Sequence, residues 1–258
     1  MSLPLDKNKY SSEPFFNPSD FIGYIRRLDR LGDRPAPEAV ILCYQRSLFD
    51  YASNEVDSTP AGAYFGKQLR YLEETEGKVA IVGNFGVGAP AAVVMLEELI
   101  AFGVRRFVSV GTAGSLVLDL PPGSLLLCDG AFRDEGCSYH YLPEAELAAP
   151  DQGLTEKLGA ALAERNLAFR RGPAWTTDAI YRETKDEVEF FRKKGALVAE
   201  MEAAALFSAA AFRKVQLASC FSVSDTLAEL VWRPEFHAET TKDGLKRIFE
   251  AAVAALAG

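Results

Sequence analysis

Apolar and polar positions along the chain fall into two kinds of run. Short, continuous apolar runs occupy residues 39–44 (AVILCY), 79–83 (VAIVG), 106–110 (RFVSV), 124–128 (SLLLC) and 215–223 (VQLASCFSV). Their length and their Val, Ile and Leu content predict strands that are apolar on both faces, as in a sheet covered on both sides. Longer segments with helical spacing lie between them. Residues 90–102 (PAAVVMLEELIAF) begin at Pro90 and stop before Gly103, the asymmetry expected of a helix. Residues 155–165, 185–194, 202–213 and 240–257 follow the same logic. Strands alternating with helices predict an α/β fold with a largely parallel sheet. Residues 1–37 are polar, aromatic and interrupted by prolines, and read as an arm. No linker divides the remainder, so residues 38–258 read as a single domain.

Composition narrows the function classes. The chain has 258 residues, 48% of them apolar and 25% charged, values of an ordinary globular protein large enough to bury a core without disulfides or metal. Its 28 Lys and Arg against 36 Asp and Glu give a net charge of −8, which repels phosphate backbones and argues against nucleic-acid binding. Cys43, Cys128, Cys137 and Cys220 form no C-x-x-C pair, and three of them lie in or beside apolar runs, as reduced, buried cysteines do. His140 and His237 are the two histidines, so no clustered ligand set for a metal is expected. Residues 1–16 lack the apolar core of a secretory signal, and no run approaches the ~18 apolar residues of a membrane span. A cytoplasmic enzyme or binding protein, without membrane association, is the expectation.

Ligands of α/β sheets bind beyond the carboxyl ends of strands, and four segments stand there. Gly83-Asn84-Phe85-Gly86-Val87-Gly88-Ala89-Pro90 joins a strand to a helix and suits either an anion or a plain tight turn. Val110-Gly111-Thr112-Ala113-Gly114-Ser115 offers small residues and hydroxyls to a phosphate, a sugar or a base edge. Glu200-Met201-Glu202 places two carboxylates on one side if the backbone is extended, and a carboxylate accepts two hydrogen bonds, as vicinal ribose hydroxyls require. Glu202 equally suits a helix N-terminus. Ser222-Val223-Ser224-Asp225-Thr226 ends in an Asp that is either a helix cap or a general acid, and Arg233 is a candidate ion-pair partner for it.

Taken in order, these segments resemble the nucleoside phosphorylase family of hexameric purine nucleoside phosphorylases, uridine phosphorylases and methylthioadenosine/S-adenosylhomocysteine nucleosidases. The resemblance runs from Ala39 to the C-terminus and is most specific in Glu200-Met201-Glu202-Ala203-Ala204 followed by Ser224-Asp225. It implies a three-layer α/β/α sandwich with a mixed, largely parallel central sheet, and a homo-oligomer, either a dimer or a trimer of dimers. It also implies cleavage of the N-glycosidic bond of a nucleoside, with inorganic phosphate as co-substrate and no other cofactor. Carried over by position, Glu202 binds the ribose hydroxyls with Glu200 beside it, and Met201 packs on the sugar. Asp225 protonates or hydrogen-bonds the departing purine. Ile180 and Tyr181 line the base, Gly114 lies against the nucleoside, and Gly111 and Thr112 belong to the phosphate site.

One departure bears on the acceptor. The family's phosphorylases carry Arg where this chain has Ser109, and their Gly-Asp-Pro segment is replaced by Tyr44-Gln45-Arg46-Ser47. Arg46 is the candidate substitute, together with an Arg from a neighbouring subunit. Phosphorolysis of a purine ribonucleoside is the expectation, with uridine phosphorolysis and hydrolysis by water as alternatives, and a non-catalytic nucleoside-binding protein as the reading from another class. Asp225 favours a purine. His140 is either a contact to the sugar 5′-hydroxyl or acceptor, or structural.

Overall fold

The side chains of strand β1 (Ala39–Cys43) divide between two cores: Val40 and Leu42 enter one, Ala39, Ile41 and Cys43 the other. Alternate residues of a strand point to opposite faces, so a strand buried at every position marks a sheet covered on both sides. The computed structural model describes residues 3–6 and 8–258; residues 1, 2 and 7 of the expected arm lie outside the described residues. The other strands are β2 (Ser58–Gly62), β3 (Gly66–Leu72), β4 (Val79–Val82), β5 (Arg106–Ser115), β6 (Leu125–Asp134), β7 (Leu147–Ala148), β8 (Phe169–Thr177), β9 (Val198–Glu200), β10 (Gln216–Thr226) and β11 (Arg233–Pro234). The helices are α1 (Pro18–Arg27), α2 (Arg46–Asn54), α3 (Ala89–Phe102), α4 (Gln152–Glu164), α5 (Lys185–Lys193), α6 (Ala203–Arg213) and α7 (Glu239–Ala257). One core packs α1, α3 and α6 against the sheet, the other α2, α4 and α7. This is the expected α/β/α arrangement.

The strands run β11-β10-β6-β8-β9-β5-β1-β4-β3-β2, with β7 on β6. Pairing is parallel through the centre, from β4 through β1 and β5 to β10, and again through β6, β8 and β9. The sheet is mixed because β10 meets β6, and β5 meets β9, antiparallel. Since β10 also pairs with β5, the strands β5, β10, β6, β8 and β9 close on themselves.

This closure creates the site. Along one edge of β5, β1 pairs only as far as Cys43↔Val110, and β9 begins at Gly114↔Ala199. Between them residues 111–113 of β5 have no strand on that side. Along the other edge β10 follows β5 throughout, with a bulge between Val223 and Asp225. A bulge turns the side chains beside it, here those of Ser224 and Asp225.

Two expectations change. The segment from Gly111 to Gly114 is not a loop after the strand but the second half of β5. It stays extended because its glycines let neighbours approach: a Cβ on Gly111 would lie 3.2 Å from the Tyr44 ring, and one on Gly114 would lie 3.0 Å from Asp225 Oδ2. The arm also contains a helix, α1, whose Ile22 and Ile25 are buried in the core shared with α3. Asn17, Pro18 and Asp20 carry its start signal, with the Asp20 carboxylate accepting the Asn17 N–H at 2.7 Å. Among the described residues no helix is long and apolar enough to cross a membrane.

Candidate active site

A cavity of about 580 Å³ opens where β1 and β9 part along β5. Its floor comes from Tyr44 and Gln45 after β1 and from Thr112, Ala113 and Gly114 of β5. One wall carries Glu200, Met201 and Glu202, another Ser224 and Asp225. Ile180, Tyr181, Val188, Leu230, Trp232 and Phe236 add apolar surface, much of it exposed at the mouth.

Glu200 and Glu202 are both buried but have separate tasks. Oε2 of Glu200 accepts the backbone amides of Glu202 and Ala203, each at 2.8 Å, and Oε1 accepts the Thr176 hydroxyl. Thr176 Oγ1 in turn accepts the Ala204 amide at 3.0 Å. These bonds satisfy the otherwise unpartnered amides at the start of α6, and the helix dipole adds to the effect. Glu200 therefore anchors α6 while it also lines the cavity beside Glu202. Glu202 accepts the Gly88 amide on Oε1 at 2.6 Å, and the rest of its carboxylate remains open to the cavity. The group cradled by the glycine turn is thus a side chain of the protein itself. Burial pushes the Glu202 carboxyl well above the ordinary range, and the charge of Glu200 pushes it further.

Asp225 is 7% exposed and accepts two side-chain hydrogen bonds: the Ser224 hydroxyl on Oδ1 at 2.7 Å and the Trp232 indole N–H on Oδ2 at 2.9 Å. Burial raises its pKa, and the two donors oppose that shift. Glu183, which sequence reasoning missed, lines the same cavity; burial and then the charge of Asp225 raise it to about 7. Among the described residues it has no hydrogen-bond or ion-pair partner.

The acceptor end is uncharged. The Tyr44 hydroxyl lies 3.0 Å from Ser109 Oγ, and Gln45 Nε2 donates to Thr112 Oγ1 at 2.8 Å. Gln45 Oε1 is buried without a hydrogen-bond partner. Burial, then the charge of Glu202, drives the Tyr44 phenol far above its ordinary pKa, so it stays a neutral donor. Lys185 is the one cation lining the cavity among the described residues.

Thr112, Gly114, Glu200, Met201, Glu202, Asp225, Ile180 and Tyr181 are therefore brought together as expected, whereas four candidates are not. Arg46 opens α2, its side chain is 86% exposed, and it pairs with Asp50 at 3.5 Å, outside the cavity. Gly111 is screened by the Tyr44 ring. His140 sits exposed in a short 3-10 helix away from the lining. Arg233, the candidate ion-pair partner, is exposed and pairs with Glu229, while the Trp232 indole meets the Asp225 carboxylate. Tyr44 and Gln45 stood in the segment already singled out after β1, whereas Glu183, just before α5, and Trp232, just before β11, carried no motif.

The fold and these carboxylates define an enzyme-like pocket, and comparison with known proteins gives the family. Residues 39–257 match the Phosphorylase superfamily, and the chain belongs to that family. Guanosine phosphorylase of Halorubrum lacusprofundi is 32% identical over 153 residues, which is 59% of this chain and 63% of that protein, so the chain matches less than two thirds of that relative's length. A DeoD-type purine nucleoside phosphorylase of Bacillus cytotoxicus is 31% identical over 159 residues, 61% of this chain and 68% of that one. Among solved structures, purine nucleoside phosphorylase of Toxoplasma gondii in complex with immucillin-H aligns with a TM-score of 0.72 at 20% identity, covering 86% of this chain and 92% of that one. AMP nucleosidase of Bacteroides thetaiotaomicron aligns at 0.68 and 21% identity, covering 91% and 98%. At these identities the structures speak for the fold alone.

Proposed function

We propose that this protein is a nucleoside phosphorylase that cleaves the N-glycosidic bond of a purine ribonucleoside, with phosphate as acceptor, giving free base and ribose 1-phosphate. The observation that carries this reading is one cavity holding both Glu202, open to a sugar, and Asp225, drawn toward its protonated form by burial. Glycosidic cleavage develops positive charge on the ribosyl ring and negative charge on the leaving base. Glu202 grips the ribose hydroxyls and faces the developing cation. Asp225 donates a proton, or a hydrogen bond, to the purine as the bond to the sugar breaks. The apolar walls around Ile180 and Trp232 hold the base.

A second reading, hydrolysis by water, is supported by the neutral acceptor end. Tyr44 and Ser109 satisfy each other where the resemblance calls for a guanidinium. A phosphate dianion gains most from charge-assisted contacts, and phosphorolysis here calls for a cation from a neighbouring copy of the chain in a homo-oligomer. The test is base release from inosine, guanosine, adenosine, uridine and methylthioadenosine with and without phosphate, with sugar products resolved by chromatography. Phosphate-dependent ribose 1-phosphate supports the phosphorylase. Free ribose at a phosphate-independent rate assigns the second reading, and no base release from any of them removes both.

A further inference from the structure

The hairpin that follows Asp225 has a chemical consequence for the acid itself. β10 and β11 pair antiparallel with Asp225 opposite Pro234 and Thr226 opposite Arg233. The turn between them is closed by the Leu230 amide on the Leu227 carbonyl at 2.8 Å, with Leu230 in the left-handed region. That turn brings Trp232 back over the carboxylate, where its indole nitrogen meets Oδ2 at 2.9 Å. On the other side the bulge at Ser224 turns that residue's hydroxyl onto Oδ1 at 2.7 Å.

The two partners differ in kind. An indole N–H donates and never accepts, whereas a hydroxyl does both. A proton on Oδ2 would oppose the indole hydrogen, so Oδ2 is held as an acceptor in either ionisation state. A proton on Oδ1 meets no such conflict, because Ser224 rotates to suit it. We propose that Trp232 is a positioning residue that confines the transferable proton of Asp225 to Oδ1, with the Ser224 hydroxyl as its rotating partner. This inference rests on Asp225 being the leaving-group acid. In the step, the Oδ1–H bond breaks and its proton passes to the base nitrogen, while the electron pair of the N-glycosidic bond leaves with the base. The acceptor bonds to the sugar carbon and gives up its own proton, which restores Asp225 by way of solvent. The carboxylate formed then receives both N–H and O–H, which stabilises it as the proton departs. The titratable group facing Asp225 across the cavity is Glu183 on the segment before α5; β5 presents only Gly114, and the hairpin presents Trp232.

The experiment compares Trp232→Phe, Trp232→His and Asp225→Asn by steady-state kinetics across pH. Phe keeps an aromatic ring beside Phe236 but donates nothing, and His restores an N–H. Trp232→Phe is expected to lower kcat about tenfold with KM nearly unchanged, the scale of one hydrogen bond to a charged group. It is also expected to move the alkaline limb of the kcat/KM profile to higher pH, because the ionised form loses a donor. Trp232→His is expected to recover most of kcat. If Trp232→Phe leaves kcat and the limb unmoved, or if Phe and His lose activity equally without moving the limb, the positioning role is overturned. If Asp225→Asn keeps full turnover, the acid assignment itself falls. An inactive Asp225→Asn beside an unaffected Trp232→Phe removes only the role of Trp232.

Discussion

The hydroxyl of Tyr44 lies 3.0 Å from Ser109 Oγ, and the two form a neutral, mutually satisfied pair. Ser109 is 1% exposed, so its hydroxyl has no access to bulk water. Tyr44→Phe leaves it without a partner, and the expected cost is about 1–3 kcal/mol of unfolding free energy, read from chemical denaturation. An unchanged midpoint would show that the pair does not support the floor of the site.

Glu200 and Glu202 are expected to separate stability from activity. Glu202→Gln keeps an acceptor for Gly88 but cannot ionise opposite the developing cation, so kcat/KM should fall by ~10²-fold or more with the fold intact. Glu200→Gln disturbs two amides at the start of α6 and the Thr176 hydroxyl, and should lower stability first. Circular dichroism melting and kinetics on the same preparations check both, and the reverse pattern would exchange their roles.

Gly114 tests how closely β5 supports the acid. An added Cβ would stand 3.0 Å from Asp225 Oδ2 and 3.4 Å from its carboxyl carbon, so the carboxylate must move. Gly114→Ala is expected to lower kcat at least ~10-fold, because small misplacements of a reacting group are costly. The nucleoside KM is the control and should change less.

Glu183 gives a pH signature. Its carboxyl is raised to about 7 in the folded protein, so the native state binds a proton that the unfolded chain has already released. The stability linked to that proton is fully present below the ordinary glutamate range and is lost as pH rises toward and through about 7. Glu183→Gln should flatten this part of the melting-temperature profile, leaving acid-side values little changed and raising those above neutrality. A variant profile parallel to that of the parent protein would contradict the assignment.

Arg46 should be dispensable. It is exposed and pairs with Asp50 across one helical turn, a contact worth roughly 0–1 kcal/mol. Arg46→Ala is expected to leave base release, with and without phosphate, within about twofold of the parent. A selective loss of phosphate dependence would return this residue to the acceptor site.

Local pattern carried far in this chain. The apolar runs at 39–44 and 79–83 became β1 and β4 within a residue, and 90–102 became α3, because burial on both faces and helix-end residues are written in neighbouring positions. The carboxylates Glu202 and Asp225 were legible for the same reason, each standing in a short motif beside a strand. Local pattern stopped where packing took over: 106–110 extended through the glycines to Ser115, since nothing in that run announces that Tyr44 and Asp225 press against it.

The sequence by itself showed the five strands β1, β4, β5, β6 and β10 with the helices α3 to α7, the two-faced burial of the sheet, and which carboxylates stand near strand ends, while β2, β3, β7, β8, β11, α1 and α2 emerged only with the fold. Only the tertiary structure decided how those groups divide the work. Gly88 meets Glu202 across 114 positions and Tyr44 meets Ser109 across 65, and the strand pairing brings each pair together. Hydrogen bonds between such distant residues leave no period in the chain. They follow from where β1 and β9 part along β5, and that gap is set by the closure of the sheet.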